Sequence, residues 1–85
     1  MPNIVGMSGE FLIHFGAMLK ALREERRITH QKLGNFAGVE RNYIYYIEKG
    51  KSEPTLGVLM GLAKGLNLSF AEFAAMIEKL PRDAE

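Results

Sequence analysis

The chain has 85 residues and no cysteine, with 47% of residues hydrophobic and 25% charged. That describes one small folded domain. It excludes a disordered chain, a large cofactor-domain enzyme, a disulfide framework and a thiolate metal site, and it fits a reducing cytoplasm. Eleven Lys and Arg against ten Asp and Glu leave a net charge of +1, so bulk charge names no partner and only its local distribution can.

The start, Met1 to Met7, has no basic region and too short an apolar stretch for a signal peptide. The apolar run from Phe11 to Leu22 is interrupted by His14 and Lys20. It falls below the ~18 residues that cross a bilayer, so no membrane association is expected.

Apolar spacing is helical throughout and predicts five helices. The first spans about Gly9 to Arg26, with Ser8 as N-cap and Phe11, Phe15, Met18, Leu19 and Leu22 as its buried stripe. Arg26 and Arg27 read as its solvated end. The second spans about His30 to Ala37, capped by Thr29, with Leu33, Phe36 and Ala37 inward and Gly38 as its left-handed stop. Val39 is a buried link. The third runs from about Arg41 to Lys49, anchored by Ile44 and Ile47, with the weak cap Glu40 before it and Gly50 after it. Thr55 caps a fourth helix to about Gly65, whose apolar residues are Leu56, Leu59, Leu62, Ala63 and Leu66. Ser69 and Glu72 have capping-box spacing and open a fifth, with Phe70, Phe73, Ala74, Ile77 and Leu80 inward and Pro81 as its stop. The expected organisation is an N-terminal extension over 1–8, a compact all-α domain over 9–80 and a tail over 81–85.

Residues 29–50 carry the functional signal. Two short helices about a tight turn make a helix-turn-helix. Gly34 supplies the small residue at their crossing, and Gly38 tolerates positive φ at the turn. These segments, FGAMLKALREERRITHQKLGNFAGV and ERNYIYYIEKGKSEPTLGVLMGLAKGLNLSF, cover about two-thirds of the chain. They resemble the phage-repressor-like (Xre-type) helix-turn-helix family of bacterial and phage regulators, and ERNYI looks somewhat like the restriction–modification controllers. The resemblance implies a five-helix lambda-repressor-like fold.

At ~100° per residue, inward Ile44 and Ile47 leave Asn42 and Tyr46 pointing away from the core, with Tyr45 and Lys49 beside them. In such domains the first residues of this helix reach base edges in the major groove. Arg41 suits guanine, Asn42 adenine or a phosphate, and Tyr43 a thymine methyl or a phosphate. Tyr46 and Tyr45 meet DNA, at a base and a phosphate respectively, or else pack at a rim or dimer contact. The resemblance implies phosphate contacts near His30 and Gln31, and at Lys49, Lys51 and Ser52. At the position of His30 the family commonly has Gln, so His30 is either a phosphate donor or a plain surface histidine. It also implies a structural ion pair between Arg23 and Glu48. From Arg41 to Lys51 there are three positive charges and one negative; from Ser69 onward there are two and four. The chain is polarised with its basic side on the expected reader.

Two histidines without cysteine offer no metal spacing and no catalytic triad, and Gly34 and Gly38, preceded by no strand, form no phosphate-cradling loop, so no enzyme, metal or cofactor is expected. Gly57, Gly61 and Gly65 share a face of the fourth helix. They signal either close approach of another backbone, such as a dimer partner's, or mere tolerance, the latter favoured for Gly57. Apolar residues beyond a monomer's needs (Ile4, Val5, Met7, Leu12, Ile13, Met76 and Leu80) point to a homodimer. The leading expectation is a homodimeric regulator that reads a palindromic site in double-stranded DNA, with RNA polymerase contact one route to regulation. The alternative is an antitoxin or other interaction module on the same fold.

Overall fold

A computed structural model describes residues 9–82. The expected Ser8 cap, the 1–8 extension with its apolar residues and the end of the tail lie outside the described residues. The order of elements is α1 (Gly9–Glu25), α2 (His30–Ala37), α3 (Arg41–Glu48), α4 (Leu56–Gly65) and α5 (Phe70–Glu78), with no strand among the described residues. This is an all-α fold.

Local chemistry marks the boundaries. The Thr29 hydroxyl accepts from the Lys32 N–H at 3.0 Å, and Thr55 accepts from Val58 at 3.2 Å. Ser69 and Glu72 form a full capping box. Glu40 occupies the N-cap of α3 without a side-chain bond. Gly38 ends α2 at φ 74°, a conformation that costs a glycine little. Helix α4 ends at Gly65 as expected, and the left-handed turn beyond it is taken by Asn67, at φ 62°.

Phe15, Leu19, Leu33, Ile44, Ile47, Leu62, Leu66 and Phe73 form the solvent-free core. Phe15 from α1 meets Phe73 from α5 edge to face at 6.0 Å. Helix α2 packs against both α3 and α4, while α1 lies along α3. Glycine allows two of these approaches. A Cβ on Gly34 would stand 2.6 Å from the Val39 carbonyl oxygen, and one on Gly61 would stand 2.6 Å from the Ala37 Cα. The backbone that approaches Gly61 is therefore α2 of the same chain. Gly57 meets only the Thr55 hydroxyl, at 4.0 Å.

Four assignments to the core change. Phe36 and Phe70, expected inward, are 44% and 39% exposed. Phe36 rests its Cβ on Gly65, and Phe70 is the first residue of α5, where the neighbouring helix has not begun to cover it. Leu56 is 63% exposed, whereas Val58 is buried in the core. Arg26 is no solvated end: its Nε donates to the Leu66 carbonyl at 2.6 Å, satisfying the end of α4. No single helix among the described residues is long and apolar enough to cross a membrane.

Candidate nucleic-acid interface

Ile44 and Ile47 are fully buried, which fixes the rotation of α3. Arg41, Asn42, Tyr45, Tyr46 and Lys49 consequently stand exposed along the helix, and Tyr43 is half-buried. Tyr43 packs on the core, and its hydroxyl donates to the Glu53 carbonyl at 3.3 Å. Lys51 is exposed and Ser52 half-buried just past α3. Gln31 is exposed at the start of α2, where its amide donates to Asn35 Oδ1 at 3.2 Å.

The expected Arg23–Glu48 pair is formed. Arg23 Nε reaches Glu48 Oε2 at 2.6 Å, Nη2 reaches Oε1 at 3.2 Å, and Nη1 donates to the Ile28 carbonyl at 2.9 Å. The Glu48 side chain is only 4% exposed. The fork geometry joins α1, the α1–α2 turn and the end of α3 in one assembly, which sets the angle at which α3 leaves the body of the domain.

Sequence reasoning missed a third member of this group. His30 Nε2 lies 3.0 Å from Glu48 Oε1. A carboxylate only accepts, so this nitrogen carries the proton. The imidazole meets the Tyr45 ring edge-on at 6.1 Å, and Tyr45 meets Tyr46 at 5.7 Å. Lys49 Nζ lies 5.4 Å from the Tyr45 ring centroid. The start of α2 thus braces the exposed tyrosines of α3. The only sequence hint was the i, i+4 spacing of Tyr45 and Lys49; the His30 link spans 18 residues and depends on how α2 crosses α3.

Arg41 and Asn42 share the N-terminal end of α3, and Tyr46 lies one turn on from Asn42. Between them they offer a guanidinium, a carboxamide and a phenol, the polar groups that can pair with base edges. His30, Tyr45 and Lys49 cluster towards the other end. No group of three or more His, Asp or Glu among the described residues could hold a metal ion.

A family model described as "Helix-turn-helix" matches residues 19–73. Among curated proteins, the transcriptional repressor RghR of Bacillus subtilis is 39% identical over 57 residues, covering 66% of this chain and 42% of that protein. The chain spans 28–42% of the length of four of the curated relatives it matches. Among solved structures, the restriction–modification controller protein C.AhdI of Aeromonas hydrophila aligns with a TM-score of 0.67 at 27% identity, covering 73% of this chain and 94% of that one. The controller C.Esp1396I aligns at 0.70 and 29%, covering 81% and 90%. A variant of C.Esp1396I is similar in its operator-bound form, at 0.71 and 28%, covering 81% and 91%.

Proposed function

The chain belongs to the helix-turn-helix family of DNA-binding domains, and from that premise we propose that it is a sequence-specific transcription regulator. It binds a palindromic operator as a homodimer, with one α3 per subunit in the major groove. The observation that carries this reading is the split character of α3: two isoleucines sealed in the core, and Arg41, Asn42 and Tyr46 bare on the other side. Arg41 pairs with guanine O6 and N7, Asn42 with adenine, and Tyr46 with a base edge. Tyr43, held at the rim by Glu53, reaches a thymine methyl. His30, Gln31, Tyr45, Lys49, Lys51 and Ser52 serve the phosphates.

The dimer reading draws on a second surface. Leu56 and Met60 lie one turn apart on α4 and are 63% and 54% exposed, with no polar group to recommend them to water. A two-fold axis through such a face makes an isologous contact and sets two readers about 34 Å apart on one side of the duplex. The regulator reading places the protein in the cytoplasm, with its DNA.

The test is selection of bound fragments from random duplex DNA, repeated over a salt series. An inverted repeat with half-sites one helical turn apart is the expected outcome, with log K falling linearly in log salt. Recovery of no sequence would overturn the reading. The bare apolar face of α4 favours one alternative, a protein-interaction module such as an antitoxin. That module would show DNA binding that is absent or insensitive to salt.

A further inference from the structure

An open cleft of about 510 Å³ lies between α1 and α3. One wall is the α1 stripe that carries Lys20 and Glu24; the other is Tyr45 and Lys49 of α3, and His30 closes one end. We propose that this cleft seats one backbone phosphate of bound DNA between Lys20 and Lys49. The proposal rests on the DNA-binding reading above and adds Lys20, on the scaffold helix, to the residues that hold the duplex.

The donors that are free decide the assignment. Arg23 also lines the cleft, but its charge is offset by Glu48 at 2.6 Å and Glu24 at 4.0 Å, and each of its three nitrogens already donates to Glu48 or Ile28. Lys20 is exposed and forms no ion pair with any described residue. Lys49 Nζ lies 5.4 Å from the Tyr45 ring centroid and forms no ion pair with any described residue. Arg23 and Glu48 cancel, and Glu24 offsets one lysine. The cleft therefore carries one net positive charge from its lysines, arginine and glutamates, which suits a single phosphodiester.

His30 lines the same cleft as a bracing group: its Nε2 proton is committed to Glu48, and its side chain is 33% exposed.

The experiment is equilibrium binding of a short random-sequence duplex across a salt series, with Lys64→Gln on α4 as the control for an exposed lysine elsewhere. Lys20→Gln lowers the slope of log K against log salt by about one, and Lys64→Gln leaves it unchanged. Glu24→Gln tightens binding. A wild-type slope retained by Lys20→Gln, while the protein binds duplex, overturns this inference alone. Failure of the wild-type protein to bind any duplex overturns the DNA-binding reading with it.

Discussion

Helices α3 and α4 both leave large side chains bare, and they do so in opposite chemical styles. On α3 the exposed rings are phenols, braced by one another, by His30 and by Lys49. On α4 the exposed residues are Leu56 and Met60, and the residue between their turns, Gly57, has open space above it. The tethers differ as well. Helix α3 adds a buried, charge-assisted fork to Arg23 to its backbone contact with α1 at Gly16, whereas α4 meets α2 by backbone contact at Gly61. The lesson is that exposed aromatic or aliphatic area has no single meaning. A ring that keeps a polar end and is fixed in direction suits recognition of a polar edge, while bare aliphatic carbon suits a surface that excludes water.

The most forceful way to break this comparison is to charge the α4 face. If Leu56 and Met60 are buried across a two-fold axis, four side chains lose water contact at about 1.5–3 kcal/mol each. The pair of substitutions Leu56→Glu and Met60→Glu then reduces the sedimenting mass to that of a monomer while the helical circular dichroism is unchanged. A mass that is the same before and after the change would detach α4 from any dimer.

Arg23→Ala attacks the tether of α3 instead. It strands the Glu48 carboxylate, 4% exposed, with His30 as its remaining side-chain partner. Removing one member of a buried pair costs about 3–5 kcal/mol, read as a lowered urea midpoint. Replacing both members by apolar residues of similar volume costs much less, because the pair orients α3 more than it stabilises the domain. A small loss in Arg23→Ala would mean that α3 is positioned by Ile44 and Ile47 alone.

Arg41→Ala sharpens the distinction between reading and holding. It weakens operator binding by about 1–3 kcal/mol and relaxes one base position, whereas Lys51→Ala weakens all sequences alike. Equal effects of the two variants on operator and random DNA would erase the division of α3 and its following loop into base and phosphate contacts.

How much of this was legible beforehand depends on the range of the signal. The starts of three of the five helices could be read because their caps are local: Thr29, Thr55 and Ser69 each act within three residues. The outward face of α3 could be read because two isoleucines three apart fix its rotation. The rotation of α4 could not, since LGVLMGLAKG is apolar nearly all round and periodicity gives no phase. Leu56 and Val58 are therefore equivalent by pattern, and only the packing of α4 selects Val58 for the core. Phe36 and Phe70 failed for a related reason: on helices of eight and nine residues an aromatic near an end has half its neighbours missing. The Arg26 bond to Leu66 spans 40 residues and the His30 bond to Glu48 spans 18. Both are set by helix crossings that no local pattern reports. The Arg23–Glu48 pair is equally distant in sequence, and only the family resemblance made it visible.

The smallest effects separate two of the three α4 glycines, Gly57 and Gly61, which share one face of the helix. Gly61→Ala forces a methyl group against the Phe36 carbonyl oxygen and the Ala37 Cα, both at 2.6 Å and both backbone, so α2 and α4 must part. Overpacking of this kind costs about 1–3 kcal/mol. Gly57→Ala places its methyl where the nearest atom, the Thr55 hydroxyl, is at 4.0 Å, an ordinary contact. There only helix propensity acts, and the variant gains about 0.5–1 kcal/mol in urea unfolding of the monomer. The same substitution also probes the bare face. If a partner's backbone closes over Gly57 beside Leu56 and Met60, Gly57→Ala weakens dimerisation even as it stabilises the fold. A gain in monomer stability with unchanged dimerisation would place the contact on Leu56 and Met60 without close backbone approach.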